Sequence, residues 1–161
     1  MQSLPYFKPW SFITLVEVNE KLNEMKYQAE DIVFNIGTDA EVFYILKSGR
    51  MMIETIIEIE DYHKYPIGNQ SWEILKTCRR LQYRLREIKG GTLFGYEELM
   101  LGIKRRCRVR CLTTCEVIYL NKDEFFEVFP KNEIQKLRLS LKEVDLDNIV
   151  ERIYRLNYDK R

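Results

Sequence analysis

The sequence predicts a mainly antiparallel β domain with helices at both ends. Three short apolar runs are separated by glycine-bearing turns, and the stretch Arg106–Cys111 alternates strictly between two kinds of side chain. Both ends of the chain instead space their apolar residues at helical intervals. At 161 residues the chain has the size of one domain and can bury a core.

Residues 1–26 are read as the helical start. From Trp10 to Met25, the apolar residues Phe12, Leu15, Val16, Leu22 and Met25 recur on one face, with Ser11 as N-cap. The aromatic residues Tyr6, Phe7, Trp10 and Phe12 are expected to cover the sheet. Strands follow over 27–120. Ile32–Ile36 ends at the turn cluster Gly37-Thr38-Asp39, Val42–Leu46 ends at Lys47-Ser48-Gly49, and Arg50–Ile59 alternates in part. Asp61–Gln70 is polar and reads as irregular. Ser71–Tyr83 carries Trp72, Leu75, Cys78 and Leu81 at spacings of three, which predicts a short helix, so 61–83 is an insertion in the β region. Strand character returns over Tyr83–Ile88 before a turn at Gly90-Gly91, and Glu97–Leu101 reads as a helical turn.

In the alternating stretch, Cys107, Val109 and Cys111 share one face and Arg106, Arg108 and Arg110 the other. By the same parity Arg105 joins the cysteine face, and a guanidinium aimed into a β structure needs an anion. Val117–Leu120 is the last strand. Helices are predicted over 121–157, first from Asp123 to Phe129, interrupted by Pro130, then from Asn132 to about Leu156.

Two segments together resemble the cyclic-nucleotide-binding domain family. Gly37-Thr38-Asp39-Ala40-Glu41-Val42-Phe43-Tyr44-Ile45-Leu46-Lys47-Ser48-Gly49 is similar to the family's early hairpin. Gly91–Cys111, with Leu93-Phe94-Gly95-Tyr96-Glu97-Glu98-Leu99 and Arg105, is similar to its phosphate-binding cassette. Asn121-Lys122-Asp123-Glu124-Phe125 resembles the start of the helix after the barrel. The resemblance implies an antiparallel, jelly-roll-like β-roll and a single domain over 1–161. It implies cyclic AMP or cyclic GMP as the ligand class, with Gly95, Glu97, Arg105 and Arg106 as candidate phosphate- and ribose-binding residues. A cyclic phosphate is a compact monoanion that backbone N–H groups and one guanidinium can hold. It further implies that a residue of the last helix caps the base, with Leu137, Leu141 and Tyr154 as candidates.

The cassette departs from the family pattern. Tyr96 stands where the family has a ribose-binding glutamate, and Glu97 is displaced by one residue, about 100° on a helical turn. Arg106 and Arg108 replace small residues, and Lys104 replaces a proline. Losing one charge-assisted hydrogen bond costs about 1.5–3 kcal/mol. The reading is therefore a non-enzymatic module with a degenerate pocket, an interaction or structural subunit of a larger assembly. A functional cyclic-nucleotide sensor is the alternative. For Arg105, the competing partner is an internal carboxylate, Glu97 or Glu98.

Other classes find little support. Lys+Arg 26 against Asp+Glu 25 argues against a dedicated nucleic-acid binder, although Lys104, Arg106, Arg108 and Arg110 form a basic stripe that is either a solvated face or a contact for polyphosphate, nucleic acid or an acidic partner. No metal is expected. Cys107, Cys111 and Cys115 lack knuckle spacing, the one histidine is His63, and the cysteines read as buried thiols. No catalytic triad, P-loop or G-x-G-x-x-G is present. No run approaches the ~20 apolar residues that span a bilayer, and a cytoplasmic setting with other protein subunits is expected. A transcription activator is disfavoured, since little chain follows Phe129 for a helix-turn-helix domain.

Overall fold

The computed structural model describes residues 12–68 and 71–141. Its elements are α1 (Phe12–Lys21), β1 (Asn23–Tyr27), β2 (Ile32–Phe34), β3 (Val42–Ser48), β4 (Arg50–Ile67), β5 (Ser71–Lys89), β6 (Leu93–Phe94), α2 (Tyr96–Leu101), β7 (Arg108–Cys111), β8 (Cys115–Asn121), α3 (Lys122–Val128) and α4 (Lys131–Leu139). Two four-stranded sheets, ordered β1-β8-β3-β6 and β2-β7-β4-β5, make the expected mainly antiparallel β-roll with flanking helices. Among the described residues the chain divides into two compact units, one of 12–54 with 84–141 and one of 55–68 with 71–83.

In the first unit the helices bury their apolar faces against β3 and β8. Phe43, Ile45, Ile118 and Leu120 meet Val18, Leu99, Phe125, Phe129 and Leu137 in one cluster. The rings of Phe43, Phe125 and Phe129 lie 4.5 to 5.2 Å apart, close enough for favourable ring–ring contact beyond simple burial. Asn121 and Glu124 form a capping box that starts α3. Gly49 turns β3 into β4 with φ +98°; a Cβ there would lie 2.6 Å from the Cys115 sulfur, so no other residue fits.

The alternation in β7 is realised as read. Cys107, Val109 and Cys111 are buried, with Met51 opposite Cys111 and Ile53 opposite Val109 across the ladder. The arginine face is neither bare nor simply solvated. Arg108 and Arg110 converge on Glu54 of β4, which is 1% exposed, at 2.7 and 2.8 Å, and Arg110 also reaches Glu30 at 2.7 Å. Burial pushes the Glu54 carboxyl up, but the hydrogen bonds and charges of Arg110 and Arg108 outweigh it and hold the pKa below the ordinary value.

Three expectations need correction. The first helix ends at Lys21, and Asn23–Tyr27, of which all but Tyr27 was expected in the helical region, pairs with β8 from Asn23↔Tyr119 to Tyr27↔Cys115. Its side chains are mostly exposed, so no apolar pattern betrays the strand. In the second unit, residues 61–67 of the stretch expected to be irregular continue β4, and the short helix expected over Ser71–Tyr83 is part of β5, with residues 69 and 70 outside the described residues. Cross-strand pairs bind these strands together, Lys76–Glu60 at 2.7 Å, Arg79–Asp61 and Arg80–Glu58 at 2.7 Å, and Thr77 donates its hydroxyl to the Asp61 carbonyl. The predicted helix beyond Leu141, including Tyr154, and the aromatic residues Tyr6, Phe7 and Trp10 lie outside the described residues, as does the side chain of Phe12. Among the described residues, no helix is long and apolar enough to cross a membrane.

Glu54 gives the first prediction. Because its folded-state pKa is lowered, its contribution is fully present above the unfolded carboxylate value of about 4.3 and is lost as pH falls through the lower folded value. Glu54→Gln leaves two guanidinium groups facing a neutral amide and is expected to cost about 3 kcal/mol at neutral pH. In denaturant titrations the gap between wild type and variant should close as the solution is acidified below pH 4.3 or so.

Candidate functional site

The cassette is built on a short turn between two positive-φ glycines. Gly95, at φ +72°, leads into α2, and Gly102, at φ +66°, ends it by donating its N–H to the Glu98 and Leu99 carbonyls. The chain then runs extended to Arg105, whose N–H donates to the Thr38 carbonyl at 2.8 Å while its own carbonyl accepts from the Gly37 N–H at 2.8 Å. The glycine turn of the early hairpin and the cassette arginine are therefore clipped together by main chain alone.

The Arg105 side chain points inward, as strand parity requires, and the residue is 2% exposed. Nη1 donates to the Gly95 carbonyl and Nη2 to the Val42 carbonyl, each at 2.5 Å. Glu98, also buried, approaches Nη1 at 3.5 Å. The guanidinium lies 4.2 Å from the ring centre of Phe34 and 6.0 Å from that of Tyr44. Phe34, Tyr44 and Phe94 stack at 5.2 to 6.3 Å and form the apolar wall beside it. Burial draws the Arg105 pKa below the ordinary arginine value, and Glu98 opposes the shift. Nε is buried with no hydrogen-bond partner among the described residues.

The other candidate residues fall in different places. A Cβ on Gly95 would meet Arg105 Nη1 at 3.0 Å and the Tyr44 ring at 3.2 Å, so this glycine is the floor on which the guanidinium rests. Glu97 pairs with Arg86 of β5 at 3.2 Å, and burial pushes its carboxyl up while Arg86 pulls it down. Of the two adjacent glutamates, Glu98 is the one within ion-pair distance of Arg105. The Arg106 main-chain N–H donates to Glu98 at 3.4 Å. Tyr96, at the family's glutamate position, packs against the helical core, and Leu137 is buried in that core. Lys104 is exposed, 3.9 Å from Asp39.

The Val42 carbonyl and the Phe34 and Tyr44 rings were not singled out from sequence. The alternation of β3 carried a signal for Tyr44, which faces away from its buried neighbours Phe43 and Ile45; the Val42 carbonyl, as main chain, left none.

The thiols behave as a structural set. Cys107, Cys111 and Cys115 are buried and Cys78 is exposed. Burial pushes the Cys107 thiol up to about 11, and burial together with Cys115 pushes Cys111 up to about 12. Cys115 Sγ lies within hydrogen-bonding reach of the Thr113 and Arg50 carbonyls. Among the described residues, no group of three or more His, Cys, Asp or Glu side chains is arranged to hold a metal ion.

No family model matches the chain, and no curated protein is significantly similar to it in sequence. Solved structures are similar in fold. The regulatory domain of Toxoplasma gondii PKA, crystallised with cAMP, superposes with a TM-score of 0.65 at 15% identity over 86% of this chain and 46% of that one. The regulatory subunit of a cAMP-independent protein kinase A from Trypanosoma brucei gives 0.66 at 15% identity over 88% and 45%. The Thermus thermophilus catabolite activator protein gives 0.56 at 16% identity over 97% and 61%. The chain spans less than half the length of the two kinase regulatory chains.

Two outcomes check this geometry. Gly95→Ala should destabilise the protein by about 1–3 kcal/mol in denaturant titration, since it forces a side chain into positive φ and against Arg105. Alkylation of the folded protein at neutral pH should modify Cys78 and spare the other three cysteines, as peptide mass mapping would show.

Proposed function

We propose that this chain, which has the fold of the cyclic-nucleotide-binding domains, is a non-enzymatic module whose cassette is closed by its own groups and which serves as an interaction or structural subunit of a larger assembly. One observation carries the reading. The guanidinium that would meet a cyclic phosphate is buried, and both of its terminal nitrogens donate to main-chain carbonyls beside Glu98. A phosphate would have to compete with the Gly95 and Val42 carbonyls and with Glu98 for this buried guanidinium, at about 1–3 kcal/mol for each carbonyl it left buried and unpaired.

The ribose side of the cassette supports the same reading. Tyr96 belongs to the helical core, and Glu97 is engaged by Arg86. The Trypanosoma brucei neighbour, described as the regulatory subunit of a cAMP-independent kinase, offers a precedent for this architecture working without that ligand. Four free thiols suit a reducing, cytoplasmic setting.

The second reading, a working sensor of cyclic AMP or cyclic GMP, draws on the buried Nε of Arg105, a donor that a ligand oxygen would satisfy. The two readings part in one experiment. Calorimetry and thermal melts with millimolar cyclic AMP or cyclic GMP should show neither binding heat nor a raised midpoint; a ligand at one hundred times its Kd adds about 2.7 kcal/mol. Arg105→Ala should instead lower stability by about 2–4 kcal/mol, because it strands Glu98 and two carbonyls. Micromolar binding abolished by Arg105→Ala would refute the closed-cassette reading and establish the sensor.

A further inference from the structure

Strand β5 is the outer strand of its sheet, next to β4, and among the described residues no strand pairs with its far side. Within the second compact unit its stretch Ser71–Tyr83 is long and carries exposed apolar side chains, Trp72, Ile74, Leu75 and Leu81, the first of them 66% exposed. An open edge of this kind presents unpaired main-chain donors and acceptors together with apolar surface, which is the template for strand addition.

Charge selects the occupant. The stretch holds three cations, Lys76, Arg79 and Arg80, against the single acid Glu73. All three pair with acids of the inner strand, Glu60, Asp61 and Glu58, yet they stay 53%, 59% and 77% exposed. Exposed pairs are worth little and are readily shared with another carboxylate. Across the sheet the order therefore runs acid on β4, base on β5, then no further strand among the described residues. Like charges directly opposite one another destabilise a strand pair and opposite charges stabilise it. A second copy of this chain, added antiparallel through the same stretch, would set the cations against each other. An acidic segment would continue the alternation.

Strand alternation sorts the side chains further. Lys76 and Arg80 share a face with Trp72 and Ile74, while Leu75 and Leu81 lie on the other. We propose that Ser71–Tyr83 is an edge-addition site for an extended segment of a partner protein, with carboxylates on the face of Lys76 and Arg80 and β-branched apolar residues on the face of Leu75 and Leu81. The proposal rests on the interaction-module reading above and adds to it the surface and the partner's chemistry.

The test uses the full chain and three fluorescein-labelled probes, namely a peptide of alternating glutamate and valine, the same peptide with lysine for glutamate, and a single-stranded oligouridine. Polarisation should rise saturably with the glutamate peptide alone, and slowed amide exchange should be confined to 71–83. The double variant Lys76→Glu/Arg80→Glu should weaken binding at least about tenfold. Because that variant also breaks two intramolecular pairs, a second adds Glu60→Lys and Glu58→Arg, which restores the pairs with the charges exchanged; it should now prefer the lysine peptide. No saturable binding of the glutamate peptide at millimolar concentration, equal binding of both peptides, tighter binding of oligouridine, or protection outside 71–83 would each overturn the proposal. So would self-association of the chain through this strand. Peptide failure with cyclic nucleotides still silent removes this surface and leaves the module reading standing; micromolar cyclic-nucleotide binding removes the reading itself.

Discussion

The guanidinium of Arg105 is the constraint on which the candidate site depends. It satisfies the carbonyl of the residue that opens α2 and the carbonyl of the residue that opens β3, and its main chain is bonded to the Gly37-Thr38 turn. A charge this deeply buried persists only where it is compensated, and here a main-chain carbonyl meets each terminal nitrogen with Glu98 beside Nη1, while Nε has no partner among the described residues. The stacked Phe34, Tyr44 and Phe94 rings complete its surroundings without adding an acceptor. Arg105 thus braces two loops and a strand, which is the geometry on which the proposed closed cassette rests.

The segment that follows shows a second solution to the problem of charge beside a core. Arg108 and Arg110 leave β7 on the opposite face from Cys107 and Val109 and share one carboxylate, Glu54, on the neighbouring strand. That arrangement places opposite charge directly across the ladder, Glu54 against Arg108, where cross-strand pairing is strongest. A strict alternation that looks like a solvated basic stripe in one dimension is, in three, the donor half of a buried ion cluster. Two of the four cations of the basic face, Arg108 and Arg110, are engaged by Glu54, while Lys104 stays exposed.

The legible parts of the sequence were those where burial and conformation agree. The alternation of β7, the apolar run of β3 and the Phe-Gly turn at Gly95 each carry a period or a positive-φ demand that few residue patterns imitate. The strand segments over 61–67 and 71–83 were illegible for a physical reason. Trp72, Leu75, Cys78 and Leu81 sit three apart and mimic a helical stripe, but in β5 they fall on alternate faces and all four are exposed. What places the strand is its position beside β4 in the sheet, a long-range property that a window of sequence does not contain. Strand β1 fails in the opposite way, with exposed, mainly polar residues and no period at all. The choice between Glu97 and Glu98 as the partner of Arg105 turns on one residue's rotation around a six-residue helix, which only the fold determines.

The exchange of the Arg105 side-chain hydrogens tests the central claim most directly. Nitrogen-edited NMR should give resolved, slowly exchanging Nη–H signals in the ligand-free protein, because both nitrogens are bonded to buried carbonyls, and cyclic AMP should leave them unmoved. Signals broadened by exchange in the free protein that sharpen and shift when cyclic AMP is added would contradict the account.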